Sequence, residues 1–254
     1  MNNYIVDTHA HLDMYDENID VIVENAIQNG VKKIIIPGIE ETSFQKIIDI
    51  ASNDDNVFCQ LGIFPSEAHR WNNDTREYII KLAENKKVVA IGEIGLDYYW
   101  DKTFTDLQKK VFAEQIILAN ELNLPIVVHD REAHQDTINI LKEHNKTSNI
   151  VFHCFSGSVE MMCECVKNGW YIALGGVVTF KNAKKMKDVA KEIPLEFLLL
   201  ETDSPYLTPV PFRGKENQPA YTKYVAEEIA KIKNISLEEV IQATTLNAER
   251  IFKI

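Results

Sequence analysis

The first apolar run of the chain leads into Val6-Asp7-Thr8-His9-Ala10-His11-Leu12. Residues i and i+2 of a β-strand point to the same face, so His9 and His11 offer two imidazoles side by side. Neutral imidazole is the commonest protein ligand for metal ions, although an isolated pair is better explained as one surface and one buried histidine. A doubly wound sheet usually has a glycine-rich turn after its first strand, and this stretch contains no glycine. The stretch therefore favours a barrel over a doubly wound sheet.

Short apolar runs recur along the chain, and most of them are continuous rather than alternating. This pattern is typical of parallel strands that are buried on both faces. We predict strands at Ile5–Asp7, Lys33–Ile36, Phe58–Leu61, Val88–Ile91, Ile126–Val128, Ile150–Phe152, Tyr171–Leu174 and Phe197–Leu200. Helical patterns lie between the strands, and two more, Ala220–Lys233 and Leu237–Phe252, follow the last strand.

Strand and helix patterns alternate in units of roughly 30 residues, which is the signature of a (β/α)8 barrel. We therefore predict an α/β fold, a (β/α)8 TIM barrel with an additional C-terminal helix. The sequence has no Pro/Gly/Ser-rich linker or charge run that would divide it. We accordingly predict a single domain over residues 1–254.

The chain carries a formal net charge of −11. An acidic surface repels polyanions, which disfavours extended, sequence-independent binding to duplex DNA. It leaves open a nucleic-acid end that is held locally by metal ions and a few cations.

The first residues lack the basic and apolar regions of a signal peptide, and no apolar run approaches the length of about 18 residues of a membrane span. The four cysteines have neither disulfide-framework nor zinc-finger spacing, so we expect reduced thiols. These features predict a cytoplasmic protein that does not bind membranes, and they leave its oligomeric state open.

Histidine, glutamate or aspartate follows five of the predicted strands. In a barrel, catalytic side chains lie at the carboxyl ends of the strands. The residues found at those ends are His9, His11, Glu93, His129, His153 and Asp203. Four of the 7 histidines of the chain belong to this set, which argues against coincidence. Six ligands exceed the needs of one ion with an open position, so we predict two divalent metal ions.

Glu93 is the predicted bridge between the ions, because Gly92 and Gly95 let the backbone approach closely. One ion would be held with it by His9, His11 and Asp203, and the other by His129 and His153. Mixed nitrogen and oxygen ligands suit Zn²⁺, Mn²⁺, Fe²⁺ or Ni²⁺, and Mg²⁺ alone less well. We predict that Glu93 and Asp203 are catalytic, with Asp203 accepting a proton from the attacking water.

Three further carboxylates lie close to these ligands in the sequence. Asp7 and Glu201 share strand parity with ligands but lie deeper, so we interpret them as supporting or core groups. The role of Asp97 stays open: it is either a residue of the site or the cap of a loop.

Several residues near the strand ends have the chemistry to contact a substrate. We predict substrate contacts for Tyr98, Arg131, Arg213 and Lys215. Tyr98 is followed by Tyr99 and Trp100, which would either stack a base or cover the next helix. The cations would either hold a phosphate or remain solvated.

The motifs at these strand ends resemble those of the TatD-type deoxyribonucleases, metal-dependent hydrolases of the amidohydrolase-like barrel group. The matching segments are Asp7-Thr8-His9-Ala10-His11-Leu12, Gly92-Glu93-Ile94-Gly95-Leu96-Asp97-Tyr98, Pro125-Ile126-Val127-Val128-His129, His153-Cys154-Phe155-Ser156-Gly157 and Glu201-Thr202-Asp203-Ser204-Pro205-Tyr206-Leu207. The resemblance covers essentially the whole chain. It implies a (β/α)8 barrel, a divalent-metal site with the six ligands named above, and hydrolysis of DNA phosphodiesters, often from a 3′ end.

The chain departs from the family pattern after the third strand. The family commonly has Gly-Ile-His-Pro-His there, whereas this chain has Gly62-Ile63-Phe64-Pro65-Ser66. Both histidines of that motif are missing, which affects any substrate contact or proton transfer made from this loop.

The leading hypothesis is therefore a metal-dependent hydrolase that cleaves DNA, as a 3′–5′ exonuclease acting on a single-stranded end through water activated by two ions. The alternative is a metal-dependent deacylase or amidohydrolase acting on D-aminoacyl-tRNA or a small ester or amide. A third hypothesis, a metal-holding binding protein, is disfavoured because a scaffold has no need of six metal ligands.

Overall fold

The computed structural model describes residues 4–100, 102–146 and 149–254. Over these residues every strand is followed by a helix, and the last strand is followed by two. The strands are β1 (Ile5–Asp7), β2 (Val31–Pro37), β3 (Val57–Leu61), β4 (Val88–Asp97), β5 (Ile126–Arg131), β6 (Ile150–Phe152), β7 (Tyr171–Leu174) and β8 (Leu198–Leu200). The helices are α1 (Ile19–Gln28), α2 (Glu41–Asn53), α3 (Asn73–Leu82), α4 (Thr105–Leu122), α5 (His134–His144), α6 (Val159–Lys167), α7 (Lys184–Glu192), α8 (Thr222–Lys233) and α9 (Leu237–Phe252).

Strand β4 continues well past its predicted end at Ile91, as far as Asp97. It pairs in parallel with β5, with Gly95 opposite His129. The strand continues through polar residues because its backbone pairs with β5. The prediction from the sequence ends earlier because it depends on the run of apolar residues alone. The extension matters because it keeps both Glu93 and Asp97 on the strand that lies beside β5, although the register shifts between Ile91 and Ile94.

The described residues form two compact units. The first unit comprises residues 37–153 and contains β3, β4, β5 and β6, each paired in parallel with the next. All of β4 is buried, as expected for a strand covered on both faces. The core of this unit includes Ile91, Ile126 and Phe112, the last of which belongs to α4.

The second unit comprises residues 4–36 and 154–254. In it β1 pairs with β2 and β7 pairs with β8, all in parallel. The Thr8 N–H donates to the carbonyl of Leu200 (3.0 Å), which ties the end of β1 to β8.

Helix α9 is the additional C-terminal helix that the sequence predicts. It starts with a capping box between Ser236 and Glu239, which satisfies backbone N–H groups of its first turn. Its Thr245 hydroxyl donates to the carbonyl of Tyr4, and its Asn247 amide donates to the carbonyls of Leu195 (2.7 Å) and Leu198 (2.9 Å). These bonds join α9 to the segments that enter β1 and β8.

Among the described residues, the helices are too short or too polar to cross a membrane. The single domain over residues 1–254 stays a prediction.

Candidate functional site

Strand β4 presents Glu93 to the neighbouring strand β5. Gly95 makes this approach possible: its φ is +149°, and a Cβ atom there would lie 1.9 Å from the carbonyl oxygen of His129. Gly92 is also constrained, because a Cβ atom there would lie 2.7 Å from Cβ of Val127. The two glycines therefore have the role that the sequence predicts, which is to let backbones approach closely around Glu93.

Three predicted ligands from β4, β5 and β6 meet in the first unit. The Glu93 Oε1 atom lies 2.8 Å from Nδ1 of His129 and 2.8 Å from Nε2 of His153. Ligand atoms of the three residues lie within 4.8 Å of one another. Imidazole nitrogens grouped around a carboxylate form a donor set that suits a first-row divalent ion. The residues therefore fit the predicted metal, and together with Asp97 we call them the Glu93 cluster.

Asp97 orients His129 within this cluster. Its Oδ2 atom lies 2.9 Å from Nε2 of His129, and its Oδ1 atom accepts from the N–H of Tyr99 (2.9 Å). Burial opposes the imidazolium charge, but the hydrogen bonds to Asp97 and Glu93 outweigh it and raise the pKa of His129 to about 9. A carboxylate on the second ring nitrogen fixes the ring and makes the other nitrogen a better metal ligand.

The sequence alone leaves the role of Asp97 open, and in the structure Asp97 acts both as the cap of a turn and as a partner of a candidate ligand. It caps the turn at Tyr99 and holds His129. The signal that points to it is parity, since residues 93, 95 and 97 share one face if the strand continues.

The remaining predicted ligands come together in the second unit. Asp203 Oδ1 lies 3.5 Å from Nε2 of His11 and 3.9 Å from Nε2 of His9. The two imidazole rings have centroids 5.2 Å apart. The side-by-side placement predicted for His9 and His11 is therefore present, and we call these three residues the Asp203 cluster.

The backbone around Asp203 explains how it reaches the two histidines. Its N–H donates to the carbonyl of His9 (2.9 Å), and Ala10 forms a parallel bridge with Ser204. Asp203 itself is in the left-handed region at φ 54°, a conformation that aspartate tolerates better than most residues.

Asp7 lies beneath this cluster and supports it, as the sequence predicts. It is fully buried and accepts hydrogen bonds from the Thr202 hydroxyl (2.7 Å), the Thr202 N–H (3.0 Å) and the His9 N–H (3.2 Å). Burial raises the pKa of Asp7 to about 7, against the opposing effect of these bonds. Glu201, also predicted to be a supporting residue, accepts from the Cys154 N–H at 2.6 Å.

The predicted substrate contacts of the first unit have protein partners. The Tyr98 hydroxyl donates to Asp136 (2.8 Å), and burial together with this carboxylate raises the pKa of Tyr98. The Arg131 guanidinium lies over the rings of Tyr99 and Trp100, 3.8 Å and 5.4 Å from their centroids. Contact of Tyr98 or Arg131 with a substrate stays a prediction.

The two predicted cations of the second unit lie in one exposed loop. Arg213 donates to the carbonyl of Thr208 (2.9 Å) and lies 3.9 Å from the ring centroid of Phe180. The Lys215 amine lies 5.6 Å from the ring centroid of Phe212. Arg213 therefore stabilises its loop, and phosphate binding by either residue stays a prediction.

Phe64, which replaces a histidine of the family motif, lies directly against the Glu93 cluster. Its ring centroid is 4.6 Å from that of His129, in an edge-to-face arrangement. An apolar ring therefore stands beside a candidate ligand where the family commonly has an imidazole. The sequence identified the replacement but not this contact.

The comparison with known families agrees with this arrangement. The sequence profile described as TatD related DNase matches residues 6–253. The chain belongs to this family. It is 46% identical over 253 residues to the uncharacterized metal-dependent hydrolase YabD of Bacillus subtilis, covering 98% of this chain and 99% of that protein. It is 39% identical over 259 residues to the uncharacterized metal-dependent hydrolase YcfH of Escherichia coli K12, covering 99% and 96%.

A solved structure of the family has the same fold. The crystal structure of YjjV, a TatD homolog from Escherichia coli K12, matches with a TM-score of 0.93 and 32% identity over 100% of both chains. The predicted (β/α)8 barrel is thus confirmed, as is membership of the TatD family. The broader functional prediction, a metal-dependent hydrolase, is confirmed with it.

Proposed function

We propose that this protein is a metal-dependent deoxyribonuclease that hydrolyses phosphodiester bonds from a single-stranded 3′ end. The observation that carries the proposal is the Glu93 carboxylate, which lies 2.8 Å from an imidazole nitrogen of both His129 and His153. This donor set occurs in a chain that matches the TatD related DNase profile over residues 6–253.

The two clusters supply the donors for divalent ions. A bound divalent ion supplies Lewis-acid stabilisation of phosphoryl oxygens and lowers the pKa of water. The proposal includes two ions, drawn from Zn²⁺, Mn²⁺, Mg²⁺, Fe²⁺ and Ni²⁺, with Glu93 as the shared ligand. The count and the type of donors in the sequence support this number of ions and this choice of metals.

The carboxylates of the site differ in their access to solvent, which separates their roles. The side chains of Glu93 and Asp97 are 4% exposed, whereas that of Asp203 is 17% exposed. Asp203 Oδ1 is therefore the atom that we assign to accept the proton of the attacking water. Asp97 keeps His129 in place, so its contribution is to position a ligand.

The charge of the protein favours a strand end as the substrate. With a net charge of −11, the protein gains little from long-range attraction to DNA, so local contacts have to hold the substrate. We propose that Arg131, Arg213 and Lys215 bind phosphates of the substrate. The proposal also includes location in the cytoplasm.

The test is cleavage of an end-labelled single-stranded oligonucleotide by the purified protein with Mn²⁺ or Mg²⁺. We expect stepwise shortening from the 3′ end, and none with excess chelator. Absence of cleavage by protein that contains metal would refute the proposal, and shortening from the 5′ end would refute its polarity.

A second candidate function is deacylation of D-aminoacyl-tRNA or hydrolysis of a small ester or amide. The Phe64 ring, at 4.6 Å from the His129 ring, favours it because a position where the family commonly has a histidine cannot take part in proton transfer during DNA cleavage here. Release of the amino acid from D-aminoacyl-tRNA, without cleavage of DNA by the same preparation, would select this function.

A further inference from the structure

Two large aromatic side chains after β4 lie in solvent. Trp100 is 75% exposed and Phe104 is 58% exposed. Both line a pocket of about 290 Å³, whose walls also include Pro65, His69 and Asp97. Exposed aromatic side chains grouped around a pocket are typical of a ligand site. We call this cavity the Trp100 pocket.

The Trp100 pocket adjoins the Glu93 cluster through a shared residue. Asp97 lines the pocket, and its Oδ2 atom lies 2.9 Å from Nε2 of His129. His129 in turn contacts Glu93. A group bound in the pocket therefore lies beside the candidate metal ligands of the same unit.

The size and walls of the pocket select a small flat group. Its volume lies at the lower limit of small-molecule pockets, which begin at about 300 Å³, so it accommodates one ring system. The indole of Trp100, the phenyl ring of Phe104 and the ring of Pro65 offer surfaces for stacking. His69 adds a polar edge.

A cation stands next to these aromatic rings. The Arg131 guanidinium lies 3.8 Å from the ring centroid of Tyr99 and 5.4 Å from that of Trp100. Aromatic rings that stack bases, combined with a neighbouring arginine, are the usual means of binding unpaired nucleotides.

We propose that the Trp100 pocket binds the base of the nucleotide next to the bond that is cleaved. The base stacks on Trp100 and Phe104, and its phosphate lies towards the Glu93 cluster. Stacking uses the flat face of the base, and all four bases have such a face. The pocket therefore accepts any base. This inference rests on the proposed function, which supplies the reaction, and it adds how the substrate is recognised.

The test compares two ligands that differ only in the base. Calorimetry on the metal-loaded protein measures the affinity for dAMP and for 2-deoxyribose 5-phosphate. We expect dAMP to bind about 10-fold more tightly, as stacking on one or two rings provides. Trp100→Ala should reduce the ratio of the two affinities to near one, and Trp100→Phe should retain most of it.

Two further variants complete the test. Phe104→Ala should lower the same ratio, because it removes a second stacking surface. Ile117→Ala, which changes an exposed side chain of α4 about 20 Å along the helix from the N-cap residue Phe104, should leave the ratio unchanged.

Equal affinity of the two ligands for the unmodified protein would overturn the inference, as would a ratio unchanged in both Trp100→Ala and Phe104→Ala. The oligonucleotide cleavage assay decides the proposed function separately. Base-dependent binding that is lost in these variants supports the pocket assignment even if DNA is not cleaved. Cleavage of DNA with equal binding of the two ligands refutes the pocket and leaves the proposed function standing.

Discussion

The two donor clusters use the same residue types but differ in how tightly they are built. In the Glu93 cluster the carboxylate oxygen lies 2.8 Å from both imidazoles. In the Asp203 cluster the corresponding distances are 3.5 Å and 3.9 Å. The first carboxylate side chain is 4% exposed and the second 17%. The comparison suggests one cluster suited to holding an ion and one accessible to water and substrate.

The difference has a structural cause. Glu93 lies in a long strand, and residues 94–97, which follow it directly, pair with the strand carrying His129. The His153 N–H donates to the carbonyl of Val128 on that second strand (3.1 Å). The Asp203 cluster is built on segments that follow strands, and Asp203 takes a left-handed backbone conformation. Paired strands position side chains more rigidly than loops do.

Glu93→Ala should have the largest effect, because it removes the carboxylate shared by two imidazoles. We expect kcat/KM to fall by about 1,000-fold or more, since Lewis-acid stabilisation is worth several kcal/mol. Elemental analysis should show less of both proposed ions. Loss of only one ion would show that Glu93 does not bridge.

Asp203→Asn should separate the contribution of Asp203 from the ion held by the Glu93 cluster. The amide keeps the shape of the side chain but cannot accept a proton, so kcat should fall by about 100-fold or more. The ion of the Glu93 cluster should be retained, as elemental analysis will reveal. Unchanged turnover would refute the role assigned to Asp203 and favour the binding-protein hypothesis.

Asp97→Asn should weaken the Glu93 cluster through His129. Loss of an orienting carboxylate typically lowers metal affinity by about 10- to 100-fold. Titration of the metal-free protein with Mn²⁺ measures the affinity. Tyr98→Phe is a suitable control, since it changes the next residue of the same segment and removes only the hydroxyl that donates to Asp136. An affinity equal to that of the unmodified protein would contradict the role of Asp97.

Thr202→Val should give the smallest effect and acts beneath the Asp203 cluster. It removes the hydroxyl that donates to Asp7 (2.7 Å) and accepts from the Ser204 N–H (3.2 Å), all in buried surroundings. We expect the free energy of unfolding to fall by about 2 kcal/mol, measured in urea. Thr42→Val, at an exposed position of α2, should change it by less than about 0.5 kcal/mol. Equal stabilities of the two variants would show that Asp7 gives no support.

The sequence was sufficient to predict the alternation of strands and helices, because buried strands are marked by continuous apolar runs. It also predicted the six candidate ligands, since each follows or ends such a run. The pairing of Asp97 with His129 was not predictable in the same way. It depends on the register of β4 against β5 and on a strand that continues through polar residues. Pairing between distant parts of the backbone determines the register and the length of the strand, and local sequence patterns do not indicate this pairing.

The role of Arg213 illustrates a second limit. The sequence leaves Arg213 open between a phosphate contact and a solvated charge, whereas in the structure its guanidinium donates to the Thr208 carbonyl and stacks on Phe180. Thr208 belongs to the same loop, but Phe180 belongs to a remote part of the sequence, so only the folded chain reveals its contact with Arg213.

The contrast between the clusters is tested most directly by calorimetric titration of the chelator-treated protein with Mn²⁺. We predict two sites in the unmodified protein, of which the tighter is lost in His129→Ala and retained in His11→Ala. Loss of the tighter site in His11→Ala, with that site intact in His129→Ala, would contradict the assignment of the Glu93 cluster as the main metal-holding site.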